Sequence, residues 1–228
     1  MNKNHFRGIG LWFWGLAVFM VCCSHTSAWG QDLKEDEPQI YMEVVHQVGG
    51  ENNTPSVVRI WRVGYKYARF ELPELRNDKG KRVKPLMIAD APNAWELDEV
   101  SKTGQHRLDT SEDISVHAPL FGVEEAEEIH KLEFGREKEF FSKHRAKPEP
   151  AKVLNGVECE VWRVKLEGYT LRLFVNKKTN LPYRVEMTKG TKQQAVQYMR
   201  YEETPTLDLK RFAPPKGYKL VEAPPASG

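Results

Sequence analysis

The sequence predicts a mainly β protein with a small helical part, built on one curved antiparallel sheet. Three observations predict it. About nine short segments are dense in β-branched and aromatic side chains and are bounded by Gly, Asn, Asp or Pro. The connections between them are too brief to hold a crossover helix, so sequence neighbours are expected to pair antiparallel. A single stretch, Pro119 to Lys131, carries clear helical spacing. A sheet with an apolar face must bury it, and one helix covers about half of so many strands. Curling the sheet solves most of the remainder and can leave a cavity.

The chain opens on a leader. Met1 to Arg7 carries two cations and no acid, Gly8 to Cys23 is almost wholly apolar, and Ala28-Trp29-Gly30 sets small residues where a signal peptidase reads. That apolar core is about fifteen residues, short of the roughly 20 needed to span a bilayer, so residues 1–30 are expected to be a cleaved signal peptide. Residues 31–38 are polar and acidic, a flexible lead-in. No long linker divides the remainder, which predicts one domain over 39–219 and a proline-rich, disordered tail over 220–228. Lys3 and Arg7 leave with the leader, so the 34 cations fall to 32, against 32 acids. Both signs alternate along most segments, which excludes a basic nucleic-acid face.

Cysteine usage agrees with a fold that rests on its core. Cys22 and Cys23 lie in the leader, and Phe19-Met20-Val21 before them lacks the small residue of a lipoprotein cleavage site. Cys159 is then alone and can form no intramolecular disulfide. It sits between Glu158 and Glu160, acids that raise a thiol pKa, so it reads as a structural cysteine and not a nucleophile.

The strands come in order. Ile40 to Val48 ends at the turn formers Gly49 to Asn53; Val57 to Val63 and Tyr65 to Leu72 flank Gly64 and are expected to pair. Arg59, Arg62, Lys66 and Arg69 recur here and predict one wet face and one dry face. Asn77 to Lys81 is a turn, Pro85 to Ala89 and Ala94 to Asp98 are strands about Ala91-Pro92-Asn93, and His106 to Asp109 comes after a polar connection. Leu120, Val123, Ala126, Ile129 and Leu132 then recur at three-residue steps among acids, the helical insertion, with Phe134-Gly135 as its stop. Arg136 to Lys147 fits either more helix or a strand at Phe140-Phe141, and Pro148-Glu149-Pro150 reads as a stiff break. Val157 to Leu166, Tyr169 to Val175, Tyr183 to Thr188 and Ala195 to Tyr201 are four further strands. Val185 and Met187 alternate there with Arg184 and Glu186, so one face is strongly apolar.

The Asn155-Gly156-Val157-Glu158-Cys159 turn and strand, the turn Asn176 to Arg184, and the closing Phe212-Ala213-Pro214-Pro215-Lys216-Gly217-Tyr218 resemble the second half of the LolA/LolB-like outer-membrane lipoprotein-carrier superfamily. The resemblance runs from Val153 to Tyr218 and covers the first half by strand rhythm only. It implies an unclosed β-barrel around a hydrophobic cavity, with a helical lid where Pro119 to Lys131 falls. It also implies export to the periplasm of a two-membrane bacterium, a lipid or acyl chain as ligand, and, by analogy with sensors on related folds, a membrane-associated protein partner. Trp61, Phe70, Met87, Trp95, Leu173, Val185 and Met187 are the side chains expected inside the cavity or at its mouth.

Other chemistry is poorly represented. His46, His106, His117, His130 and His144 lack the spacing of a common zinc site, and no cofactor is expected. His106 and His117 flank Asp109 and Asp113 within an irregular stretch that gives them no geometry. Glu158 with Glu160, and Glu202 with Glu203, read as wet strand faces and not as an acid and base pair. Asn52-Asn53-Thr54 matches a glycosylation acceptor. The expected function is therefore non-enzymatic binding of a lipid or acyl chain by an exported half-barrel. The alternative is an envelope structural, interaction or sensor module whose concave face is filled by its own side chains. An apolar void of at least roughly 300 Å³ separates the two.

Overall fold

A computed structural model describes residues 39–48, 56–108, 116–123, 126–204 and 208–223. The expected signal peptide and lead-in, the turn at Gly49 to Asn53, the acceptor at Asn52, Asp109 and Asp113, and the tip of the tail from Pro224 lie outside the described residues.

The described chain is mainly β, with 58% strand and two α-helices, and its large curved sheet is not closed into a barrel. In order the elements are β1 (Gln39–Val48), β2 (Val57–Val63), β3 (Tyr67–Glu71), β4 (Leu75–Arg76), β5 (Arg82–Val83), β6 (Pro85–Asp90), β7 (Asn93–Asp98) and β8 (Thr103–Leu108). Then come α1 (Glu127–His130), α2 (Glu137–Lys143), β9 (Lys147–Leu154), β10 (Val157–Leu166), β11 (Tyr169–Asn176), β12 (Pro182–Lys189) and β13 (Lys192–Thr204). A 3-10 turn at Leu209–Phe212 and β14 (Lys219–Glu222) close the chain. Twelve strands form one sheet in the order β14-β8-β7-β6-β3-β2-β1-β13-β12-β11-β10-β9, and β4 with β5 forms a separate hairpin.

Two meanders meet along β1 and β13, which pair antiparallel from Gln39 opposite Thr204 to Val48 opposite Gln194. The short connections produce this outcome, since each lets a strand return only beside its predecessor. Register then fixes the faces. Phe70 stands opposite Ile60 and Met87, while Leu173 stands opposite Val185, and Val185 opposite Val196. Side chains alternate between faces, so these residues share the concave side.

Three expectations need correction. The helix over Pro119 to Lys131 is not continuous: among the described residues only Glu127–His130 is helical there. Leu120 N–H bonds Leu132 O at 2.8 Å and Phe134 N–H bonds Ala118 O at 2.9 Å, so the segment doubles back on itself. A helix of that length would hold positions 120 and 132 roughly 18 Å apart. Leu120, Ala126, Ile129 and Leu132 are still buried, with Val123 partly so, as the inner lining of an irregular cover.

Pro148 and Pro150 do not break the chain; they lie within β9, at one edge of the sheet. An edge strand has one row of N–H groups without a partner strand, so prolines are tolerated there and discourage further pairing. The run before them resolves as helix, Glu137–Lys143. The tail keeps strand pairing as far as Glu222: Lys219–Glu222 pairs in parallel with Thr103 to His106 as β14. A connection of more than a hundred residues separates those two strands, so the short-connection argument does not apply to them.

Candidate functional site

The site is the concave trough and the segment that covers it. Met42 and Val44 of β1, Ile60 of β2, Leu171 and Leu173 of β11, and Val185 and Met187 of β12 line the trough. Leu120, Phe121, Ile129, Leu132, Phe134, Phe140 and Phe141 of the cover pack into it from above, each at most 5% exposed. Phe140 and Phe141 come from successive positions of α2, whose apolar flank faces the sheet. The trough is therefore occupied, over this stretch, by the chain's own side chains.

The seven residues singled out from the sequence fall on two faces. Leu173, Val185 and Met187 belong to the trough cluster, Phe70 packs against it, and Met87 shares their face by register. Trp61 and Trp95 do not join them. Both lie on the convex face, Trp61 in a second cluster with Ile88, Leu97 and Phe212, and Trp95 packed against it. The reason is parity, since Ile60 and Trp61 are adjacent on one strand and must point to opposite sides.

Sequence reasoning misses the polar fastening of the cover. Arg62 belongs by pattern with the cations of the wet face, yet it is 2% exposed and sits opposite Ile40 on the concave side. Its guanidinium donates to Phe134 O at 2.9 Å and Val116 O at 3.4 Å, and it pairs with the Glu133 carboxylate. His117 Nδ1 lies 2.7 Å from the other Glu133 oxygen. Burial raises the Glu133 pKa, but Arg62 and His117 outweigh it and hold the carboxyl below its usual range. The signal was present: Arg62 is three residues from Arg59, hence on the other face.

A second fastening joins α2 to β13. Tyr198 OH donates to Glu137 Oε1, which also accepts Gly135 N–H at 2.9 Å. Glu137 is 1% exposed, burial pushes its carboxyl up, and its Oε2 has no hydrogen-bond partner. Nearby, a cleft of about 440 Å³ opens between α2, the β11–β12 turn and β13. Its lining includes Arg136, Glu137, Lys138, Asn180, Tyr201 and Glu203. Within that cleft Lys138 Nζ bonds Asn180 Oδ1 at 3.1 Å, and at α1 Glu128 N–H bonds Glu167 at 3.2 Å.

These carboxyls set opposite pH responses. Glu137, whose pKa is raised on folding, contributes stability that is present below the usual carboxylate value of 4.5 and is lost as pH rises through the folded value. Glu133, whose pKa is lowered, contributes stability that is lost as pH falls below 4.5. His46, pushed down to about 4 by burial, adds a further loss as pH falls from 6.5 through that value. Urea titrations of Glu137→Gln across the pH range are expected to lose the decline that sets in above pH 4.5 and keep the acid one. An unchanged slope above pH 4.5 would assign that decline to another group.

The remaining candidates do not converge. His106 pairs with Glu222 at 2.9 Å, donates from Nε2 to Asn93 Oδ1 at 2.9 Å, and stacks on Trp95. It is thus remote from the Glu133 pairing of His117. Cys159 is fully buried beside Val161 and Phe174, and burial raises its thiol pKa, as a structural role requires. Glu158 pairs with Lys177 and Glu202 with Arg200 across wet faces. Among the described residues no group of three or more His, Cys, Asp or Glu could hold a metal ion, and no helix is long and apolar enough to cross a membrane.

No family model and no curated protein matches the chain. Among solved structures it is similar to an uncharacterized conserved protein from Thermus thermophilus, at 9% identity over 82% of this chain and 91% of that one, with a TM-score of 0.49. It is also similar to MucB in complex with MucA(peri), at 11% identity over 81% and 57% of the two chains and a TM-score of 0.39. A LolA superfamily protein from Nitrosomonas europaea is similar at 10% identity over 78% and 90%, with a TM-score of 0.32.

Proposed function

We propose that the protein is an exported, non-enzymatic binding protein that takes a lipid or acyl chain between its curved sheet and its cover, within the periplasm. One observation carries the reading. A deep apolar face, built from β1, β2 and β10–β13, is closed by an irregular segment with helices of only four and seven residues. Such a cover holds its place through a few polar fastenings and the fit of its phenylalanines, and lifting it uncovers a continuous surface for an acyl chain. Trough residues Phe70, Met87, Leu173, Val185 and Met187 would contact that chain. Trp61 and Trp95 would not, since they face the other way.

A second reading rests on a different observation: the phenylalanines of the cover already occupy the trough. It makes the protein an envelope interaction or sensor module that docks a membrane-associated protein and takes no small ligand. Gentle mass spectrometry of the intact secreted protein, followed by titration with a fluorescent fatty-acid analogue, separates the two. The first reading expects retained lipid, or saturable binding that unlabelled fatty acid displaces. A correctly folded sample that fails both leaves the interaction module.

A further inference from the structure

The last strand of the sheet is lightly held. All four residues of β14 are exposed, and its backbone reaches the sheet through β8, with Lys219 N–H bonding Lys102 O at 2.9 Å and Ala223 N–H bonding His106 O at 2.7 Å. Glu222 adds a side-chain link, its two carboxylate oxygens lying 3.0 and 2.9 Å from His106 Nδ1. The other nitrogen of that ring, Nε2, lies 2.9 Å from Asn93 Oδ1. A separate bond orients the Asn93 amide: its Nδ2 donates to Asp90 O at 3.4 Å, which leaves Oδ1 toward the histidine. A carboxylate and an amide oxygen only accept, and a neutral imidazole carries one N–H. Both ring nitrogens are therefore satisfied only if each holds a proton. The geometry is that of an imidazolium, and the Trp95 indole stacked on it at 5.3 Å offers an electron-rich face to the charge.

Register and alternation give the rest of the surroundings. On this face β7 presents Asn93, Trp95 and Leu97, β8 presents Gly104 and Leu108 beside His106, and β14 presents Leu220 and Glu222. Glu222 is the charged side chain among them. Asp90 of β6 stands opposite Asn93 in register, while Glu96 and Arg107 point to the other face.

We propose that His106 is a pH-sensitive latch that holds the C-terminal strand on the edge of the sheet. With both nitrogens protonated, the ring ties β14 to β7 across β8. When one proton leaves, the carboxylate keeps the remaining N–H as the stronger acceptor, and the bared Nε2 faces the Asn93 oxygen lone pair to lone pair. The ion pair and the Asn93 bond are lost together, and β14 is left on its backbone bonds. The latch is thus closed on the acid side of the ring's titration and open on the alkaline side. Opening frees the edge of β8, Thr103–Leu108, for another strand to pair with.

The test is NMR of the full secreted chain from about pH 5 to about pH 8, the span in which histidine ordinarily changes charge. It follows the His106 ring nitrogens and, on the same samples, amide hydrogen exchange corrected for the intrinsic rate. Protection of the Lys219 and Ala223 amides is expected to fall roughly two- to fivefold as the ring loses its proton, the worth of an exposed ion pair, while the amides that join β6 to β7 keep theirs. Glu222→Gln, at a side chain 77% exposed, and His106→Gln should each remove that step. Constant protection while the ring titrates overturns the latch, as does a step that survives Glu222→Gln. A ring that keeps the same protonation across the whole range overturns it too.

Discussion

Glu133→Leu is expected to cost about 3–5 kcal/mol of folding stability, the range for removing one partner of a buried ion pair. The change leaves Arg62, 2% exposed, with its bonds to Phe134 O and Val116 O but without a counter-charge. A guanidinium cannot shed its proton to escape, so the cover must open or the sheet must admit water. The double variant Arg62→Met with Glu133→Leu replaces the pair by apolar volume and should recover most of the loss. Urea unfolding of the single and double variants reads the cycle. Trypsin adds a local readout, because the exposed Lys138 and Lys143 of the cover should become cleavable in the single variant. A cost under about 1 kcal/mol would place the pair in the class of solvated surface bridges and remove its role as the cover's fastening.

How far the fold was legible in the sequence depends on how local each signal is. Val57–Val63 and Val157–Leu166 match their expected ranges residue for residue, because a strand declares itself through its own side chains and the turn after it. The cover does not declare itself. Leu120, Ala126, Ile129 and Leu132 are spaced as one helical face, but their burial comes from a segment folded back on itself, and the bonds that fold it join residues twelve or more apart. Non-local pairing of this kind leaves no periodicity to read.

The residues of the candidate site divide in the same way. Phe70, Met87, Leu173, Val185 and Met187 are recoverable from alternation, while Trp61 and Trp95 are suggested by their chemistry alone and stand on the other face. Glu133 and Glu137 escape a sequence reading because charged residues are rarely buried and their partners stand far away in sequence, whereas Arg62 shows its face by its spacing from Arg59 but not its partner. Arg62 and Glu133 stand 71 positions apart, with most of the first meander between them.

The convex side yields the other large effect. Phe212→Ala is expected to destabilise by about 3–5 kcal/mol, the usual cost of deleting a buried phenylalanine ring. Phe212 is 1% exposed, its ring centre lies 5.2 Å from that of Tyr67, and it packs with Trp61, Ile88 and Leu97. The first meander buries its concave side only partly under the cover, so its convex side needs a layer of its own. The 3-10 turn at Leu209–Phe212 supplies it, and Arg69 anchors that turn by donating to Arg211 O at 3.1 Å. With the ring gone, β14 should loosen from β8 as well, because the docked turn, together with Tyr218 packed on the same cluster, brings residue 219 back to that edge. Tryptophan emission gives the local measure: Trp61, 8% exposed, should shift to the red before global unfolding. If stability drops by less than about 1 kcal/mol and the emission stays put, the tail is an appendage and the meander stands without it.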